Sequence, residues 1–153
     1  MKVEDVMTKN IWTCRAGEAM SCAAWLMWEH DIGAVPVVGE DHKLVGIVTD
    51  RDLCMAAYFT GQAMSAVPVA HAMSKVVFTV EPGQDLEAAE KLMDEKQIRR
   101  LPVLDADEAV VGMITLGDLA RASKARRQVS EREVSATLAA IAQPRPQPVT
   151  AAA

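Results

Sequence analysis

Two stretches of the chain set a threonine three residues ahead of an aspartate, each closing a run of apolar residues: Gly46-Ile47-Val48-Thr49-Asp50-Arg51-Asp52 and Gly112-Met113-Ile114-Thr115-Leu116-Gly117-Asp118. The apolar run reads as a strand and the residues after it as a helix, so each pair stands at a strand-to-helix junction. Such a junction presents unpaired backbone N–H groups and the positive end of a helix dipole, which favours phosphate. The threonine adds a hydroxyl, and the aspartate can accept from both hydroxyls of a vicinal diol. Thr and Asp can equally cap the helix, and the two roles are compatible. The glycine ahead of each pair lets backbone or a ligand approach closely.

The two stretches are copies. Sliding the sequence by 66 residues aligns 3–56 with 69–122 without a gap and gives 19 identities in 54 positions. Chance would give roughly 7% per position, or about four. Copies of about 55 residues are marginal alone, so they are expected to share one core across a pseudo-two-fold axis. Each copy opens with a short turn (Val3–Met7, Val69–Met73) and an extended piece (Ile11-Trp12-Thr13, Val77-Phe78-Thr79), then turns at Gly17 or Gly83. The spacing predicts a helix over 18–30 in the first copy. In the second copy Leu86, Ala89, Leu92 and Met93 fall on one helical face. Two short apolar runs come next as a hairpin, turning at Glu40-Asp41-His42 or Ala106-Asp107-Glu108, and a last helix begins after Thr49 or Thr115. The unit is β-α-β-β-α: repeat 1 over 1–60, a polar linker over 61–68, repeat 2 over 69–127, and a helix with a tail over 128–153. In the last part Ser130 and Glu133 have capping-box spacing, and Val134, Leu138 and Ile141 share a face. Pro144, Pro146 and Pro148 end that helix, and an extended tail is expected beyond it.

Composition narrows the class. The 153 residues are 50% hydrophobic and 24% charged, the profile of one compact domain rather than a disordered chain. No apolar run approaches the ~20 residues that span a bilayer. Met1-Lys2-Val3-Glu4-Asp5 lacks the apolar stretch of a signal peptide, so a cytoplasmic location is expected. Sixteen basic against 21 acidic residues argue against a broad nucleic-acid surface. Cys14, Cys22 and Cys54 are an odd set without CxxC spacing, read as core or surface residues, with redox sensing as the lesser alternative. His30, His42 and His71 lack ligand spacing and are expected at the surface. With no nucleophile–base set, Walker loop or HExxH, neither a catalytic nor a metal site is expected.

The repeated stretches resemble the G-h-h-[ST]-x-x-D signature of the cystathionine β-synthase (CBS) domain. Ile32–Val37 and Ile98–Val103 resemble the strand that precedes it, and Val6-Met7-Thr8 and Ala72-Met73-Ser74 the family's first helix. The resemblance covers about residues 1–127. It implies an α/β fold of two packed repeats, a tandem pair often called a Bateman module. Such a pair typically regulates a partner, as in energy sensing, and is not itself an enzyme. It binds an adenosine-containing ligand (AMP, ADP, ATP or S-adenosylmethionine), with or without Mg²⁺, in the cleft between repeats. The resemblance assigns Asp52 and Asp118 to ribose, and Thr49 and Thr115 to ribose or phosphate. It sets the adenine against an extended segment, which makes Asn10, Ile11, Trp12 and Thr13, and Val76, Val77 and Thr79, candidates. Trp12 or Phe78 would stack on the base, although an aromatic at a strand position is more often core. Paired modules commonly form a flat disc, so a stand-alone homodimer with an unidentified effector protein is expected. The competing reading is a constitutive dimeric scaffold whose clefts have lost their ligand.

The two sites need not be equal. Arg99 and Arg100 precede Leu101-Pro102-Val103, where the resemblance implies a basic residue facing the ligand phosphates, and an arginine fork suits that role. Repeat 1 has Gly33 and Ala34 at those positions. Arg51 is the candidate to compensate, with a solvated or dimer-contact arginine as the alternative. Trp25 and Trp28, one helical turn apart, read as packing or dimer contact. Met20, Met27, Met93 and Met113 read as filling an aromatic-poor core. Lys124, Arg126 and Arg127 read as the end of a helix, where cations complement the dipole.

Overall fold

A computed structural model of the chain describes residues 1–124 and 130–144. Repeat 1 comprises β1 (Cys14–Arg15), α1 (Met20–Glu29), β2 (Ala34–Val38), β3 (Leu44–Thr49) and α2 (Asp50–Thr60). Repeat 2 comprises α3 (Leu86–Lys96), β4 (Arg100–Leu104), β5 (Val110–Thr115) and α4 (Leu116–Lys124), followed by α5 (Glu131–Ile141). Short 3₁₀ turns at Val3–Asp5 and Val69–His71 lead into the repeats. The expected helix over 18–30 is trimmed to Met20–Glu29. The first strand forms two residues beyond Ile11-Trp12, where Cys14 and Arg15 pair in parallel with Val37 and Val38. In repeat 2 that strand shrinks to a single parallel bridge, Val80 to Val103. Pro102 takes part in that bridge through its carbonyl, which accepts the Val80 N–H at 3.1 Å, and its missing N–H falls on the same side, where the ladder is one bridge long.

Both hairpins are antiparallel, and the duplication reaches their irregularities. The register slips between Val37 and Val38 and between Val103 and Leu104, which are equivalent positions. The left-handed residues other than Gly61 come in equivalent pairs too: Asp31 with Gln97 at helix ends, His42 with Glu108 in the hairpin turns. The bridges between the copies obey the same symmetry. Thr8–Met113 mirrors Ser74–Ile47, and Lys2–Asp85 mirrors Pro68–Ala19. Lys43 and Ala109, equivalent to each other, bridge directly, which marks the pseudo-two-fold axis.

These bridges correct one expectation. The copies do not share a single core; each lead-in segment packs into the other copy. Val67 and Val69 are buried with Met20, Val35, Val37 and Val48 of repeat 1, while Val3 is buried with Leu86, Met93, Leu101 and Ile114 of repeat 2. The 61–68 linker therefore ends inside a core, contrary to its polar composition. Reciprocal exchange accounts for the two equivalent strand glycines. A Cβ at Gly46 would lie 2.6 Å from Met73 Sδ, and one at Gly112 would lie 2.6 Å from Met7 Sδ.

The buried methionines are as expected, with Met20 and Met93 wholly enclosed. Ser130 caps α5, accepting from Glu133 N–H at 3.1 Å while Glu133 accepts from Ser130 N–H at 2.9 Å. The helix packs on α3 and α4 of its own chain. Its buried face is Val134, Thr137 and Ile141, whereas Leu138 is half exposed, a correction of one position in the face. Lys124 ends α4; Arg126, Arg127 and the proline-rich tail beyond Pro144 lie outside the described residues. No helix among the described residues is long and apolar enough to cross a membrane.

Candidate functional site

At each strand-to-helix junction the threonine and aspartate close a capping box. Thr115 donates from N–H (2.8 Å) and Oγ1 (2.6 Å) to Asp118 Oδ2, and its Oγ1 accepts from Asp118 N–H at 3.2 Å. Thr49 and Asp52 repeat the pattern at 2.9, 2.7 and 3.2 Å. Helix capping is thus real in both copies, and the copies differ in what else reaches the aspartate. Asp118 is buried, and its second oxygen, Oδ1, accepts from Thr8 Oγ1 of repeat 1 at 3.2 Å and from Arg121 one turn along α4. Asp52 is only half-buried, and Met55 stands where repeat 2 has Arg121.

A cleft of about 380 Å³ opens beside Asp118, between the repeats. Its walls are Asn10, Ile11 and Trp12 from the lead-in of repeat 1, Gly33 and Ala34 at the start of β2, and Thr115, Asp118 and Arg121. Arg99 and Arg100 line it as well. The Arg99 carbonyl accepts the Leu116 N–H at 3.0 Å, which ties the arginine pair to the first turn of α4. Gly33 has a steric reason to lack a side chain, since a Cβ there would sit 2.8 Å from Arg100 Nη2 and 3.3 Å from Asp50 Oδ2. Gly33 of repeat 1 therefore leaves room for the Arg100 guanidinium of repeat 2.

The sequence-expected residues divide between this cleft and elsewhere. Asn10, Ile11, Trp12, Arg99, Arg100, Thr115 and Asp118 come together around it. Thr49, Arg51, Asp52, Val76, Val77 and Thr79 are not among its walls; Arg51 and Val76 are exposed. Thr13 lines a shallower hollow with Cys22 and Trp25. Phe78 packs against the core of repeat 2, with Lys96 Nζ 5.1 Å from its ring centre, so it is a core aromatic. Trp12 is half exposed and stacks on His30, with ring centres 3.9 Å apart. That stack corrects the surface reading of His30, whose Nε2 is buried and makes no hydrogen bond among the described residues. Burial pushes the Cys14 thiol up to about 12, which keeps it protonated and unreactive, whereas Cys22 and Cys54 are exposed.

Among the polar walls of the cleft, sequence reasoning missed Thr8, Asp31 and Arg121. Arg121 follows Asp118 by three positions, the spacing at which helical side chains meet, so the pair was readable. Thr8 carried no such sign, because its reach to Asp118 depends on the exchange of lead-in segments.

The chain belongs to the CBS domain family, whose model matches residues 3–58 and 69–125. It is 40% identical over 118 residues to the CBS domain-containing protein YhcV of Bacillus subtilis, a match over 77% of this chain and 82% of that one. Among solved structures, it resembles the CBS domain pair of protein MJ0100 in complex with 5′-methylthioadenosine and S-adenosyl-L-methionine. That match has TM-score 0.74 and 26% identity over 82% of this chain and 98% of that one. It also resembles CBSX2 in complex with AMP, with TM-score 0.72 and 28% identity over 83% of this chain and 98% of that one.

Proposed function

We propose that the cleft beside Asp118 binds an adenosine-containing ligand and that its occupancy alters how the two repeats sit together, a change read by an effector protein in the cytoplasm. One observation carries this reading: a buried carboxylate, three guanidinium groups and a half-exposed indole line one cleft between the repeats. Its size suits a small molecule, for which pockets run roughly 300–1,000 Å³. The adenosine ligands of MJ0100 and CBSX2 support the ligand class. In this reading Trp12, backed by His30, offers its free face to the base, and Asp118 accepts from the ribose hydroxyls. Arg99, Arg100 and Arg121 hold phosphate, which ranks AMP, ADP and ATP above S-adenosylmethionine, which brings no phosphate. Any Mg²⁺ arrives on the phosphates.

Signalling follows from the shared acceptor. Ribose hydroxyls compete with Thr8 and Arg121 for Asp118 Oδ1, and release of Thr8 loosens the lead-in of repeat 1 from β5. A ligand shifts that equilibrium only by its differential affinity for the two arrangements. The module is regulatory in this account and performs no catalysis. A constitutive scaffold is the second reading, favoured by repeat 1, where Thr49 and Asp52 satisfy each other and no arginine replaces Met55. Titration calorimetry of nucleotide-stripped protein against AMP, ADP, ATP and S-adenosylmethionine, with and without Mg²⁺, decides between them. The proposal expects one phosphate-bearing nucleotide per chain; absence of heat and of thermal shift with every compound favours the scaffold.

A further inference from the structure

The three guanidinium groups of the cleft are not equally free. Arg121 is paired with Asp118. Arg100 reaches from repeat 2 to Gly33 of repeat 1, and Asp50 stands beside the same glycine. The point that a Gly33 Cβ would occupy lies 2.8 Å from Arg100 Nη2 and 3.3 Å from Asp50 Oδ2. Those two atoms are therefore no more than about 6 Å apart, close enough for each charge to feel the other. Arg99 is exposed, and its guanidinium makes no ion pair or hydrogen bond among the described residues.

Asp50 opens α2, where its Oδ1 accepts the Arg51 N–H at 2.8 Å. Its Oδ2, the oxygen near Arg100, has no hydrogen bond among the described residues. The duplication carries this pair once. The residues equivalent to Asp50 and Arg100 are Leu116 and Ala34, both uncharged walls of the same cleft. Asp31 is a further exposed carboxylate on the wall. The cleft and its border thus hold Arg99, Arg100 and Arg121 against Asp31, Asp50 and Asp118, so the fixed charges balance. A phosphoryl group brings a charge of about −1.5 to −2 near neutral pH. Balanced charge with one uncommitted guanidinium suits a ligand with a single phosphate, and every further phosphate must be placed against carboxylates that stay ionised.

We propose that Asp50 sets how many phosphates the cleft accepts: its carboxylate, held beside Arg100, repels phosphate charge beyond the first, so that AMP binds more tightly than ATP. The inference rests on the reading of this cleft as an adenosine-nucleotide site and adds its selectivity. Asp50 acts through the field at the arginines and needs no contact with the ligand, which makes it a specificity determinant that no cleft wall reveals. Mg²⁺ carried on the phosphates offsets the repulsion, so the preference is largest in its absence. Asp50 is exposed, and added salt weakens its effect.

The test is titration calorimetry of the full chain with AMP and with ATP, at low salt and with a metal chelator present. Wild type is expected to bind AMP several-fold more tightly than ATP. Asp50→Asn, which keeps the shape of the side chain and removes its charge, is expected to narrow that ratio by about threefold or more, chiefly by tightening ATP. Asp50→Glu restores the charge and is expected to keep the preference for AMP. Glu40→Gln removes the same charge from an exposed hairpin turn that does not line the cleft, and is expected to leave the ratio as in wild type. A wild type that prefers ATP, or a ratio that Asp50→Asn leaves in place or Glu40→Gln moves as far, overturns the inference while nucleotide binding stands. Binding of neither nucleotide by wild type removes the reading of the cleft, and this inference with it.

Discussion

Replacing Asp118 and Asp52 by alanine, one at a time, separates helix capping from ligand binding, because the two residues share the first role and only one lines the cleft. Either substitution keeps the threonine cap but leaves that threonine's N–H and hydroxyl without their carboxylate acceptor, at a cost of about 1 kcal/mol. At Asp118, Thr8 and Arg121 also lose their acceptor, adding about 1 kcal/mol. At roughly 2–4 °C per kcal/mol for a chain of this size, Asp118→Ala should lower Tm by about 4–8 °C and Asp52→Ala by about 2–4 °C. Binding should diverge more sharply. Hydrogen bonds to a charged acceptor contribute about 1.5–3 kcal/mol, so Asp118→Ala should weaken nucleotide binding by roughly 10- to 150-fold and Asp52→Ala hardly at all. Thermal melts and calorimetric titrations of both variants read the two effects separately. Equal losses of affinity in the two variants would refute the reasoning, as would full affinity in folded Asp118→Ala.

Three further outcomes rest on contacts at single residues. Gly46→Ala drives a Cβ to 2.9 Å from the Ser74 carbonyl as well as onto Met73, so overpacking should cost about 1–3 kcal/mol, read by denaturant unfolding; wild-type stability contradicts the close exchange of segments. Gly33→Ala meets only the ends of the Arg100 and Asp50 side chains, so Tm should hold while affinity for ATP falls several-fold; unchanged affinity would detach Arg100 from the phosphates. Cys14 gives a pH dependence of known sign. Its folded pKa of about 12 lies above the ordinary 9.0, so above pH 9 the unfolded chain loses a proton that the folded chain keeps. Stability then falls by about 1.4 kcal/mol per pH unit over that window, and Cys14→Ala should flatten the fall; equal losses between pH 8 and pH 10 in both proteins contradict it.

The repeat and its elements were legible because hydrophobic period and turn residues are local signals. The hairpin turns at His42 and Glu108 and the Ser130–Glu133 cap each declare a structure within a few positions. The site was half legible for the same reason. Thr115 and Asp118 are readable in their own junction, and Arg99 and Arg100 at the head of their strand. What escaped depends on contacts between distant parts of the chain. Thr8 reaches Asp118, and Val3 and Val69 enter the opposite cores, only because the lead-in segments exchange. Leu138 fell on the expected face by period alone, but α5 rolls toward Thr137 to fit against α3 and α4. Phe78 and Trp12 occupy equivalent positions, and nothing local distinguishes the one in a core from the one at a cleft.

Hydrogen exchange measured with and without millimolar ATP tests the central claim most directly, since it reports where the ligand sits without any substitution. Slowed exchange is expected in 8–13, 99–101 and 113–121, the segments around the Asp118 cleft, with 47–55 and 74–79 unchanged. Protection confined to the second set, or none in either, would contradict the account.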